Sequence, residues 1–145
     1  MLLVAMDKPQ QVCGLVGIAC ATDFVSRRYE SLPEAVKTEI QTKGFWEFPS
    51  KYSEDPYVLR WEVIEEARHH KLDDKKIEIC CPVRLLHGIN DQDVPYIVSL
   101  DVCKQLQTSD VTVTFIKDGD HRLSDPKNLG IILKAVKELV LDTSQ

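Results

Sequence analysis

Two short runs hold the residue types that could do chemistry. Leu85-Leu86-His87-Gly88-Ile89-Asn90-Asp91-Gln92-Asp93-Val94-Pro95 carries an apolar strand into a loop with two carboxylates, and Asp118-Gly119-Asp120-His121 ends a second strand in a loop with an imidazole. A neutral imidazole has the basicity to take a proton from a hydroxyl near pH 7. A carboxylate that accepts its other N–H fixes the tautomer and stabilises the imidazolium that forms. Asp91 is the candidate carboxylate and His121 the candidate general base. Asp93, two residues further along the same loop, competes for the acid's place. Asp120 is the weaker rival, because adjacent side chains seldom face each other. Asp91 could instead close an Asx-turn before the helix start at Val94-Pro95. Each loop alone favours such a local role; the two together, in this order, favour catalysis.

The elements that must position them follow from periodicity. Val83–His87 reads as a buried strand, 95–107 as a helix with Val98 and Val102 stacked, and Val111–Ile116 as a strand with one face less buried. Strand–helix–strand takes about thirty residues when the strands are parallel, which is the spacing of Asp91 and His121. In an open parallel sheet, functional groups sit beyond the carboxyl ends of the strands. Val12–Ala21 reads as a further strand, buried on both faces. Met1–Met6 reads as the tail of an apolar helix and Lys127–Leu141 as a closing helix with a stripe of Leu129, Ile132, Leu133, Val136 and Val140. The fold class is α/β, with three parallel strands and flanking helices.

Residues from about 22 to 76 differ: polar, helical and rich in aromatics (Phe24, Tyr29, Phe45, Trp46, Phe48, Tyr52, Tyr57, Trp61). Ser31-Leu32-Pro33-Glu34 looks like a capped helix start and Gly44 a stop. Residues 56–70 are expected to form a second helix with Leu59, Val63 and Ala67 on one face. The stretch reads as a lid insertion over one end of the sheet. Its aromatics either line an acyl-chain pocket or anchor the lid; Phe24, Trp46 and Trp61 are the substrate-binding candidates.

The remaining residues point to less. His87 ends a strand and is expected to be a satisfied, partly buried residue. His69-His70 suit the carbonyls at a helix end. The five cysteines show no zinc spacing, and reduced, mostly buried thiols of an intracellular compartment are expected. Neither a metal nor a cofactor is implied. A net charge of -5 with no basic run argues against nucleic acid as a partner. No apolar stretch is long enough to span a bilayer.

His87-Gly88-x-x-Asp91-x-x-Val94-Pro95 and Asp120-His121 resemble the acid and base loops of α/β-hydrolases. Three further motifs extend the likeness: Gly44-Phe45-Trp46 with Pro49-Ser50-Lys51-Tyr52-Ser53-Glu54, Glu66-Ala67-x-His69-His70, and Cys81-Pro82-Val83-Arg84-Leu85-Leu86-His87-Gly88. Together they resemble mitochondrial acyl-protein thioesterases of the α/β-hydrolase-domain family. The resemblance implies a serine hydrolase with Asp91 and His121 as triad acid and base. Its substrates would be S-acylated proteins, small acyl esters and acyl-glucuronides, and its site mitochondrial. It also implies that residues 1–145 are the C-terminal part of the hydrolase sheet. The family's nucleophile stands in Gly-x-Ser-x-Gly, and none of the six glycines flanks a serine in that pattern. That serine is expected just before Met1; a non-catalytic isoform that binds acyl ligands or proteins is the alternative.

Overall fold

The computed structural model describes residues 1–50, 53–72 and 75–142; Lys51 and Tyr52, two of the motif residues above, lie outside them. In chain order the elements are α1 (Leu2–Asp7), a 3-10 turn (Pro9–Gln11), β1 (Leu15–Ile18), α2 (Phe24–Glu30), α3 (Glu34–Lys43), β2 (Phe45–Phe48), β3 (Tyr57–Arg60), α4 (Trp61–His69), β4 (Val83–Gly88), α5 (Ile97–Gln105), β5 (Val111–Ile116) and α6 (Pro126–Asp142). They form two compact units, one of residues 1–22 and 74–145, the other of residues 23–73.

The first unit is built on a parallel sheet of order β1-β4-β5. The apolar run of β4 makes it the central strand, with Leu15 beside Val83, Leu85 beside Val113, and Gly88 beside Ile116. Helix α5 packs on β4 and β5, and α6 on β1. Val83, Leu85 and Leu86 of β4 and Val98 and Val102 of α5 are buried, together with Leu123 and Leu139. Burying side chains of this size is worth about 1.5–3 kcal/mol each, which is what holds the layers together.

The edges depart from the expected pattern. β1 takes only four residues of the Val12–Ala21 run, because the backbone turns left-handed at Ala19, with φ 48°. Ile18 is exposed, so this edge strand is not buried on both faces. In α6 the apolar stripe read from the sequence faces outward: Leu129, Leu133, Val136 and Val140 are exposed, while Asn128 and Leu139 are buried. The buried line runs one residue round the helix from that stripe and brings Leu139 against Gly14.

The second unit is not all helical. β2 and β3 form an antiparallel pair, Phe45 beside Arg60 and Phe48 beside Tyr57. The expected helix over 56–70 is therefore a strand followed by a shorter helix, and the buried residue of α4 is Ile64 rather than Val63. Ser31 does not open α3. Its hydroxyl donates to the Arg28 carbonyl (2.8 Å) and so closes α2. Gly44 does end α3, at φ 82°, a conformation glycine adopts without a Cβ penalty. Tyr29, Leu32, Ile40, Leu59 and Ile64 form this unit's core.

Candidate active site

Parallel pairing of β4 with β5 brings both sequence-predicted loops to one edge of the sheet, since each follows the carboxyl end of its strand. The loops are also joined directly. The Ile89 N–H donates to the Ile116 carbonyl (2.8 Å) and the Asn90 N–H to the Gly119 carbonyl (3.0 Å). Such an approach requires glycine at 88, where a Cβ would lie 2.2 Å from the Gly119 oxygen.

The Asp91 carboxylate uses its two oxygens for different tasks. Oδ1 accepts from the backbone N–H groups of Asp93 (2.8 Å) and Val94 (2.9 Å), an Asx-type turn that fixes the loop. Oδ2 lies 2.9 Å from Nδ1 of His121 and 3.1 Å from Nε2 of His87. The local role and the imidazole contact, posed as alternatives by the sequence, are both present on one side chain. The Asp91 side chain is fully buried and that of His121 about one-third exposed.

Desolvation by burial would raise the Asp91 pKa. The Val94 N–H, the His121 hydrogen bond, the Asp93 N–H and the charge of His121 together outweigh it and hold the carboxyl below its ordinary value. Asp91 is thus ionised across the neutral range, as an imidazole-orienting carboxylate must be.

Asp120 does other work. Asp120 Oδ1 accepts from the N–H groups of Arg122 (3.1 Å) and Leu123 (2.8 Å), shaping the base loop. Leu123, fully buried at φ 47°, anchors that loop in a left-handed conformation that costs a non-glycine residue about 1 kcal/mol or more. Asp93 lies near the pair: ligand-type atoms of Asp91, Asp93 and His121 fall within 4.8 Å of one another. The oxygens of Asp91 are already met by two backbone N–H groups and by one ring nitrogen each of His87 and His121.

His87 is fully buried rather than partly buried, and it contacts the candidate acid itself. Sequence periodicity missed this, although the four-residue spacing to Asp91 across a glycine was a usable signal. The thiols are also not as expected. Among the described residues no cysteine is fully buried, and Cys13 and Cys80 are exposed. Desolvation still pushes the thiols of Cys20 and Cys81 up, which makes them reluctant nucleophiles.

The substrate-binding candidates all fall in the second unit. Phe24 is half exposed. Trp46 and Trp61 pack against the Tyr29–Ile64 core, Trp46 stacked on Phe48 at 4.9 Å and Trp61 edge-on to Tyr29 at 5.7 Å. No helix of the described residues is long and apolar enough to cross a membrane.

No family model matches the chain. It is 39% identical over 141 residues to the mitochondrial palmitoyl-protein thioesterase ABHD10 of Bos taurus, a match covering 97% of this chain and 46% of the relative. The chain spans about half the length of the curated relatives it matches. Among solved structures it superposes on the mouse alpha/beta hydrolase domain-containing protein 10 with a TM-score of 0.86 at 36% identity, covering 98% of this chain and 57% of that one. A putative hydrolase from Agrobacterium vitis S4 gives a TM-score of 0.87 at 32% identity, covering 95% and 57%. The chain is therefore related along nearly its whole length to mitochondrial palmitoyl-protein thioesterases, and its parallel sheet with flanking helices is that of an α/β-hydrolase.

Proposed function

We propose that this chain supplies the acid and base of a serine hydrolase that cleaves acyl thioesters and esters. The observation that carries the reading is the 2.9 Å contact between buried, ionised Asp91 and His121 at the carboxyl edge of β4 and β5. Asp91 accepts the Nδ1–H of His121, which leaves the Nε2 lone pair to take a serine's proton. The serine oxygen then attacks the acyl carbonyl, and the thiol or alcohol leaves with the proton His121 returns. In the second half, His121 draws a proton from water, the hydroxide displaces the serine, and the acid is released.

Relatives named palmitoyl-protein thioesterases support S-acylated proteins as the substrate class; small acyl esters and acyl-glucuronides would meet the same acylation chemistry. The name of those relatives also supports a mitochondrial site. We read the aromatic unit of residues 23–73 as the acyl-binding insertion, with half-exposed Phe24 more available to a ligand than Trp46 and Trp61, which pack against that unit's core.

The alternative is a module that binds an acyl ligand or protein without turning it over. A palmitoyl-thioester assay combined with fluorophosphonate labelling separates the two. Both are run on the natural gene product with its upstream frame sequenced. Labelling and hydrolysis that vanish in His121→Ala support the hydrolase. A product that binds acyl thioester but neither labels nor hydrolyses supports the binding module.

A further inference from the structure

His87 stands next to last in β4 with no exposed surface, and its ring has three polar partners. Nε2 lies 3.1 Å from Asp91 Oδ2 and 3.1 Å from the Val94 carbonyl oxygen. Nδ1 lies 2.7 Å from the hydroxyl of Ser99, a fully buried residue of α5. A carbonyl can only accept, so Nε2 must carry the hydrogen. In the neutral ring Nδ1 is then an acceptor, and the Ser99 hydroxyl is its donor. The tautomer is set by the Val94 carbonyl and the Asp91 carboxylate, and Ser99 on another element meets the acceptor nitrogen on the far side of the ring.

We propose that His87 is a positioning residue for the Asp91–His121 pair, holding Asp91 Oδ2 in place with an N–H, while Ser99 anchors the other side of its ring. This inference rests on the hydrolase reading above. Oδ1 is pinned by two backbone amides, but those bonds alone leave the plane of the carboxylate able to turn about the Oδ1 side. A second imidazole, immobile in the core, fixes where Oδ2 points. The half-open imidazole of His121 then meets an oxygen that is already aimed. A histidine kept only for packing would need no such set of partners, since an apolar ring of like size would fill the space more cheaply.

The test uses the histidine side-chain NMR spectrum of the 15N-labelled 145-residue chain. Its four histidines, His69, His70, His87 and His121, are assigned by substitution. The wild-type chain is expected to show His87 as the Nε2–H tautomer and a slowly exchanging Nδ1 proton on His121. His87→Phe keeps the bulk but loses the donor, and should speed exchange of that His121 proton by about tenfold, the worth of one hydrogen bond. His87→Gln, which places an N–H near the same point, should recover most of the protection. Unchanged His121 exchange in a folded His87→Phe chain overturns the inference and leaves the hydrolase reading standing. A wild-type chain with no His121 Nδ1–H bonded to Asp91 removes that reading first. Should His87→Phe not fold, Ser99→Ala decides: it leaves both rings in place, removes the partner of His87 Nδ1, and should shift that resonance and speed exchange of the His121 proton while the Nε2–H tautomer stays. No change there also overturns the proposal.

Discussion

The two units treat their buried polar groups in opposite ways. In the sheet unit His87 and Ser99 are fully buried, and together with Asp91 they form a chain of hydrogen bonds ending at half-open His121. In the unit of residues 23–73 the core is apolar and aromatic. Its cations stack on ring faces at the rim: Arg28 over Phe48 at 4.9 Å, Arg68 over Trp61 at 5.2 Å. Its buried Ser26 hydroxyl has no partner among the described residues. Buried polar groups are costly unless satisfied, so a fully satisfied row marks a place where orientation matters more than packing. An apolar core with stacked rims specifies shape, not proton positions. On the hydrolase reading proposed above, the first unit carries the chemistry and the second supplies shape.

The sharpest way to break that contrast is to change charge without volume. On the proposed hydrolase reading, Asp91→Asn in the natural gene product should lower turnover by about 10⁴-fold, because an amide cannot orient the imidazole as the carboxylate does. Asp93→Asn should change turnover little, and equal losses in the two variants would return the acid's place to an open question. Ile64→Ala, in the other unit, should cost about 2–5 kcal/mol of stability through the cavity it leaves in the Tyr29–Leu59 cluster. The Asp91–His121 proton signal should stay intact in that variant. Loss of the signal would mean that the units are not separable in the way their cores suggest.

Gly88→Ala acts where the first unit's two loops meet. The new methyl would press on the Gly119 carbonyl, which is backbone and cannot swing aside. About 1–3 kcal/mol of stability should be lost. On the hydrolase reading, turnover should also fall by about 10²-fold, as expected for displacement of reacting groups by roughly 1 Å. Urea unfolding and thioester hydrolysis read the two effects separately.

How much of this the sequence carried depends on the range of the interaction. β4, α5 and β5 were legible because their period is local and their apolar residues are continuous. The nearness of Asp91 to His121 was legible because a parallel strand–helix–strand unit leaves little choice of where its loops end. The hairpin of β2 and β3 was not. Each strand has four residues, no tight-turn pair joins them, and Leu59, Val63 and Ala67 happen to fall at helical spacing. The row Ser99–His87–Asp91 was hidden for a different reason. Ser99 is a polar residue between buried Val98 and Val102 on α5, and only the packing of α5 on the sheet shows what it meets. The outward stripe of α6 misled for a third reason: periodicity marks an apolar face without saying which of two adjacent faces is covered.

Acid titration offers a milder test of the satisfied row. Because the Asp91 pKa is lowered in the folded chain, its stabilising contribution is complete above the ordinary carboxylate value of about 3.9. It is lost as pH falls through the lower folded value. Urea unfolding of the wild-type chain from pH 6 down to pH 2 should steepen in that acid window, and Asp91→Asn should flatten this part of the curve. An identical acid slope in the two proteins would mean that the four N–H groups around Asp91 do not favour its charged form.

The smallest effect is expected where the contrast predicts a gain. Ser26 is 3% exposed on α2, and its hydroxyl finds no acceptor or donor among the described residues. Replacing it by alanine removes a buried hydroxyl with no partner among the described residues, and alanine is also the better helix former. Ser26→Ala should therefore raise stability by about 0.5–1 kcal/mol, read as a higher urea midpoint at unchanged slope. The matching change in the sheet unit, Ser99→Ala, should lower stability, because there the same hydroxyl is the donor that a buried imidazole depends on. Opposite signs from one substitution at two buried serines would establish that the units differ in how their polar groups are met. Like signs would reduce the difference to one of composition.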